Sequence, residues 1–97
     1  MIYFKKLISQ NSEVYTFCDQ DIIGKKIKNK NSNIEISERF YKGNLIKDDE
    51  AIILMEQARN VNIIGKNSIK LALKAKIIDK ENIIKIKNIP HALVFEI

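Results

Sequence analysis

Two runs rich in β-branched and aromatic residues open the chain, IYFKKLI over 2–8 and EVYTFCD over 13–19, with the turn formers SQNS between them. That arrangement predicts a β-hairpin. KKIK (25–28) and NIEIS (33–37) flank an Asn-rich NKNSN, and Ile34 and Ile36 alternate with Glu35 and Ser37 at the strand period of two, predicting a second, shorter hairpin. ERFYKG (38–43) reads as a tight turn capped by Ser37, with Phe40 and Tyr41 packed inward and Gly43 in the left-handed conformation that stops it.

The pattern then switches to a helical period. DDEAIILMEQARN (48–60) predicts a helix with Asp48 as N-cap, Asp49 and Glu50 in the first turn, and an apolar set of Ala51, Ile52, Leu54, Met55 and Ala58 turned to the sheet. VNII and Gly65 follow as a short extended segment or loop, and NSIKLALKAK restarts a helix capped by Asn67 or Ser68, with Ile69, Ala72 and Leu73 toward the core. NIIKIK (82–87) and HALVFEI (91–97) predict two closing strands joined by a turn at NIP, where Pro90 biases Ile89 to extended backbone. Ile84 and Ile86 should point inward with Lys85 and Lys87 outward, and Leu93, Phe95 and Ile97 should form one face of the last strand. The order implies an α+β domain, a mostly antiparallel sheet built from hairpins with two main helices packed on one face.

The 97 residues, 45% apolar and 30% charged, suit a single globular domain over 1–97 with one core. No apolar run approaches the roughly 18 residues of a membrane span, and MIYFKKLISQ lacks the features of a signal peptide, so the expected location is cytoplasmic. One cysteine cannot close an internal disulfide, and Cys18 with His91 falls short of a zinc ligand set, so neither a structural metal nor a cofactor is expected. The net charge of +5 and pI near 9.4 make the chain basic and permit an anionic partner such as RNA, although Ile, Lys and Asn abound together as an AT-rich gene would produce.

CDQDIIGKKIK (18–28) carries two readings. With Asp19 as N-cap of one turn ended by a left-handed Gly24, Cys18 and Ile23 occupy the two positions of a hydrophobic staple, a complete structural reason for the cysteine. A reactive thiolate would draw on the turn's N-terminus and on Lys25 or Lys26, but Asp19 and Asp21 oppose it. His91, the one histidine, would need the last hairpin beside the first to form a Cys–His pair. VNIIGKNS (61–68) lacks the glycine and Ser/Thr of a phosphate loop, leaving a generic anion site at Gly65, Lys66 and Lys70. Lys66, Lys70 and Lys74 form a basic stripe at i, i+4; with Lys25, Lys85, Lys87, and Lys5 and Lys6 beside Tyr3 and Tyr15, it could follow a phosphate backbone while rings stack on bases.

CDQDIIGK, FYKG, NIIGKNSIKLA and IPHA, in that order, resemble the successive signatures of a family of small archaeal proteins known as domain of unknown function four-two-four. The resemblance covers nearly the whole chain. It implies an archaeal cytosolic protein and places Cys18, Asp19, Gly24, Lys25, Phe40, Tyr41, Gly43, Asn62, Gly65, Pro90, His91 and Ala92 at family motif positions, with departures at Lys42 and Leu93. It implies no activity.

Three functions follow as expectations. The first is a non-enzymatic domain binding RNA or a translation-related ribonucleoprotein. The second is a small-ligand or enzyme site assembled from Cys18, Asn62, His91 and the helix start at Gly65. The third is a subunit of a protein complex that uses an exposed sheet edge or apolar patch.

Overall fold

The computed structural model describes residues 1–30 and 32–95, so Ile97, expected to share a face of the last strand with Leu93 and Phe95, and Asn31 of the second hairpin's turn lie outside it. The first hairpin forms as its pattern requires: β1 (Ile2–Ser9) and β2 (Ser12–Asp19) pair antiparallel in continuous register from Ile2↔Asp19 to Ser9↔Ser12. Gln10 and Asn11 take positive φ at the tip, the conformation that suits a two-residue hairpin turn. A single turn of helix over Gln20–Ile22 and Gly24, at φ +80, lead into β3 (Lys26–Asn29) and β4 (Ser32–Glu35), which pair only with each other.

α1 (Glu38–Tyr41) is capped as expected, the Ser37 hydroxyl accepting from the Phe40 N–H at 3.3 Å. Gly43 departs from the expectation, since its φ is not left-handed. It is needed for space: a Cβ there would lie 2.1 Å from the Phe4 carbonyl oxygen, because the chain turns into a short edge strand, β5 (Asn44–Ile46), against β1. Three residues that pair with the far end of the chain's first strand give no local signal of their own.

α2 (Asp48–Gln57) begins one residue earlier than expected, with Lys47 rather than Asp48 as N-cap, and stops before Ala58. β6 (Val61–Ile64) is the largest correction to the topology. The segment expected to be a short extended piece or loop lies inside the six-stranded sheet, ordered β5-β1-β2-β6-β8-β7, parallel to β2 and antiparallel to β8. Its nearly continuous apolar run is what a strand covered on both faces requires.

α3 (Lys66–Lys74) follows, with Gly65 rather than Asn67 or Ser68 at the N-cap. A turn over Lys80–Asn82 precedes β7 (Ile84–Ile86), and the closing hairpin turns at Lys87 and Asn88, both at positive φ, so that Pro90 falls inside β8 (Ile89–Val94). The turn thus starts one residue before NIP and shares only Asn88 with it.

Side-chain alternation gives the sheet two faces. Cross-strand partners Phe4↔Phe17, Phe17↔Ile63 and Ile63↔Ala92 share one, and Ala51 and Met55 of α2 and Ile69, Leu71 and Ala72 of α3 join their cluster. The opposite face carries the row Tyr3, Cys18, Ile64, His91 and Ile84, one residue from each of five adjacent strands. A second cluster of Cys18, Ile22, Ile27, Ile36, Tyr41 and Ile64 covers part of that row. Beyond it the cover ends. Ile84 is 63% exposed, so its expected inward position is corrected, and Leu93 at 43% and Phe95 at 66% are exposed as well; Ile86 is half-buried against the second cluster.

Candidate functional site

Where the second cluster stops, three polar side chains from distant segments meet. Tyr41 Oη donates to Asn62 Oδ1 at 2.8 Å, and His91 Nε2 lies 2.9 Å from the same oxygen. An amide oxygen accepts, so with the phenol already donating to it, Nε2 carries the imidazole proton and Nδ1 keeps its lone pair.

Each member is positioned by local chemistry. Asn62 stands on β6, opposite Thr16 of β2 and Leu93 of β8. His91 sits one row along, opposite Ile64 and Ile84, a diagonal neighbour within reach of a long side chain. Tyr41 arrives from α1, which is fixed by its Ser37 cap, by the Lys5 ammonium donating to the Arg39 carbonyl, and by buried Thr16, whose hydroxyl lies 3.2 Å from the carbonyl oxygens of both Lys5 and Phe40. Phe40 packs edge-on against Tyr41 at 4.7 Å between centroids.

Double acceptance by Asn62 Oδ1 fixes the amide orientation and leaves Nδ2, a donor, without a partner among the described residues. His91 Nδ1 is likewise unpartnered there, and since no buried side-chain nitrogen or oxygen lacks a partner among the described residues, both atoms meet solvent. Burial holds the His91 pKa below its ordinary 6.5, favouring the neutral ring, and pushes the Tyr41 phenol up to about 12. Tyr41 also lines an open groove of about 660 Å³ along α1, whose other walls include Lys5, Leu7, Glu35, Arg39 and Phe40.

Cys18 takes the structural role. It is fully buried, its thiol donates to the Asp19 carbonyl at 3.3 Å, and burial, then Asp19 and Asp21, push its pKa up to about 12, the reverse of an activated thiolate. The Cys–His pairing weighed from the sequence is corrected by topology. β6 separates β2 from β8 and puts Ile64 directly between the two residues, two strand spacings or roughly 10 Å across the sheet.

The helix start at Gly65 is also already filled. Asp19 Oδ2 accepts from the Asn67 N–H at 2.9 Å, and Oδ1 accepts from the Ser68 N–H and hydroxyl, both at 2.7 Å. The generic anion site expected at Gly65, Lys66 and Lys70 therefore holds an internal carboxylate, and Asp19, positioned to cap its own turn, caps a helix 48 residues away. The capped N–H groups were legible as orphan donors; their partner was not.

The basic and aromatic candidates disperse. Lys25, Lys66, Lys70, Lys74, Lys85 and Lys87 are exposed, but α3 packs through the face of the sheet opposite Asn62. Tyr3 and Tyr15 point to opposite faces, Tyr3 beside Cys18 in the second cluster and Tyr15 edge-on to Phe4 in the first. They form no common stacking platform.

Comparison with known proteins gives the same architecture. The crystal structure of an uncharacterized conserved protein from Methanopyrus kandleri superposes with a TM-score of 0.86 over 96% of this chain and 89% of that one, at 22% identity, a likeness of fold. No curated protein matches. Residues 8–97 match the family described as protein of unknown function (DUF424), and this chain belongs to that family.

Proposed function

We propose that this chain is a non-catalytic binding domain whose recognition centre is the Asn62–His91 pair. The observation that carries the reading is the doubly held Asn62 amide: the Tyr41 hydroxyl and the His91 ring N–H fix its oxygen, leaving Asn62 Nδ2 as a donor and, on the far side of the imidazole, His91 Nδ1 as an acceptor, each reached by solvent. A preset pair of this kind loses little freedom on binding. A nucleophile is what the centre would need for covalent catalysis, and the thiol nearest in the row is buried, protonated and screened by Ile64.

The test is a titration of the isotope-labelled protein with small planar amides, benzamide and 2-pyridone, followed at the Asn62 side-chain amide and the His91 ring. Saturable shifts at both groups, reduced by Asn62→Asp, are the expected result; unmoved resonances at millimolar probe overturn the reading.

A second reading, binding of RNA or a translation-related ribonucleoprotein, draws on a different feature. Lys66, Lys70 and Lys74 stand exposed at i, i+4 on α3 with no acidic partner among the described residues. Binding through them would weaken steeply with salt and on Lys66→Glu and Lys70→Glu, and would leave the Asn62 signals unmoved. Under either reading the cytoplasm is the proposed location.

A further inference from the structure

We infer that the uncovered half of the sheet face around Leu7 and Leu93 docks an acidic amphipathic helix of a partner protein. This goes beyond the Asn62–His91 reading and does not depend on it.

The surface follows from register. Leu7 pairs with Val14, Thr16 with Asn62, Asn62 with Leu93 and His91 with Ile84, so these positions share the face that carries Cys18 and Ile64. The opposite face is covered by α2 and α3, whereas here the second cluster reaches only part of the sheet. Leu7, Val14, Leu93 and Ile84 pack into neither apolar cluster, and Phe95, two residues beyond Leu93, is exposed as well. Aliphatic side chains from four strands on one face form the kind of surface that a further layer covers.

The strand order sets the size of that layer. From Leu7 on β1 to Leu93 on β8 the sheet passes β2 and β6, three strand spacings or about 14 Å. A helix rising about 1.5 Å per residue spans this with about ten residues. Apolar anchors at i, i+4 and i+7 on such a helix would meet Leu7 or Val14 at one end and Leu93 or Ile84 at the other. The groove along α1 takes in Leu7, so the surface deepens at that end.

Charge selects the occupant. Among the described residues, Lys5 is the one charged strand position on this face of the six-stranded sheet. Its ammonium donates to the Arg39 carbonyl, and the Arg39 side chain, exposed in the groove wall, has no acidic partner among the described residues. One carboxylate, Glu35, shares that wall. Two cations against one carboxylate favour acidic side chains on the incoming segment, and the chain's net charge of +5 draws them in. A second copy would set the same patch, with its cations, against itself. A nucleic acid would ask for stacking rings and cations along its path, and Val14, Asn62, Leu93 and Ile84 supply neither. A polypeptide helix with one apolar side and flanking carboxylates answers both the aliphatic surface and the charge beside it.

The experiment titrates the full chain, labelled at its Leu, Val and Ile methyls, with two synthetic peptides of about 14 residues. One carries Leu at helical spacing with Glu between; in the other, Lys replaces Glu. The expected result is saturable shifts at Leu7, Val14, Leu93 and Ile84 with the Glu peptide, and binding weaker by about tenfold or more with the Lys peptide. Leu93→Glu and Arg39→Glu, both at exposed positions and both checked for an otherwise unchanged amide spectrum, should each weaken the Glu peptide by about tenfold. Lys70→Glu, on α3 against the other face, should leave it unchanged.

Unmoved methyls at millimolar Glu peptide overturn the inference, as does equal binding of the Lys peptide or full binding by both Leu93→Glu and Arg39→Glu. Shifts of the same methyls on raising the protein concentration alone give the surface to a second copy, and shifts there with single-stranded RNA but not with the Glu peptide give it to a nucleic acid; either result also overturns it. Benzamide at Asn62 tests the other reading, so the two can fail separately.

Discussion

Asp19 and Gly65 fit together so closely that a Cβ on Gly65 would lie 2.3 Å from Asp19 Cγ. The glycine is at φ +111, a conformation open to glycine almost alone, and its lack of a side chain lets the carboxylate reach the first free N–H groups of α3. Gly65→Ala should therefore destabilise the fold by about 3 kcal/mol or more, summing backbone strain and overlap with a buried side chain. Asp19→Ala should cost about 2 kcal/mol or more through loss of the cap and of three bonds in a buried setting. Urea denaturation of both variants checks this, and because the two act on one contact, the double variant should fall well short of the sum.

Cys18 should resist alkylation in the native protein and react only as fast as the chain opens, so that iodoacetamide labelling tracks the unfolded fraction in urea. The same burial sets a pH dependence. The folded-state pKa is raised from the ordinary 9.0 to about 12, so the native state holds this proton where the unfolded state releases it. Stability is then unaffected by Cys18 below pH 9.0 and declines as the pH rises from there toward 12. In Cys18→Ala the decline should start later, at the ordinary Tyr value of 10.0, since the raised Tyr41 pKa supplies a similar loss above it. An alkaline urea series on both proteins decides.

Gly43→Ala should destabilise by about 2 kcal/mol or more for a steric rather than a conformational reason, because the new Cβ meets a backbone oxygen, that of Phe4, at 2.1 Å and neither group is a flexible side-chain end. The strain falls on the junction of α1 with β5, so the Tyr41–Asn62 bond should loosen as well. An upfield-to-downfield survey of the Asn62 side-chain amide, alongside the thermal midpoint, reports both effects.

These contacts show where sequence pattern carries the fold and where it stops. The hairpin of β1 and β2, the pairing of β3 with β4 and the cap on α1 are local, set by alternation and turn formers within a few residues of one another. β6 is different: four residues with no alternation become a central strand only because β2, 46 positions earlier at every pair, and β8, 27 to 33 positions later, accept it on either side. Leu93 and Ile84 show a further gap. Their period correctly put each on a face of its strand, but whether that face is covered depends on where the β3–β4 hairpin and α1 end, which no local pattern states. Asn62 and His91 were both legible as motif residues; that Tyr41 joins them through a single shared oxygen belongs to the assembled sheet.

The Asn62 oxygen also makes a prediction about acid. Burial lowers the His91 pKa, with no charged neighbour adding to the effect; the residues beside it on the sheet are Ile64 and Ile84, and the titratable group sharing Asn62 is Tyr41, which stays neutral far above this range. A depressed histidine pKa means the unfolded chain takes up the proton first. The contribution is thus fully present above the ordinary 6.5 and is lost as pH falls from 6.5 through the folded-state value. Denaturant midpoints taken from about pH 7.5 down to about pH 5 should decline in the wild type and decline less in His91→Gln, whose amide does not titrate. Tyr41→Phe should cost about 1 kcal/mol by removing one of the two bonds to Asn62 while leaving the acid slope in place, because the slope belongs to the imidazole. An unchanged slope in His91→Gln would assign the acid sensitivity to the carboxylates instead, and would remove His91 from the titrating part of the site.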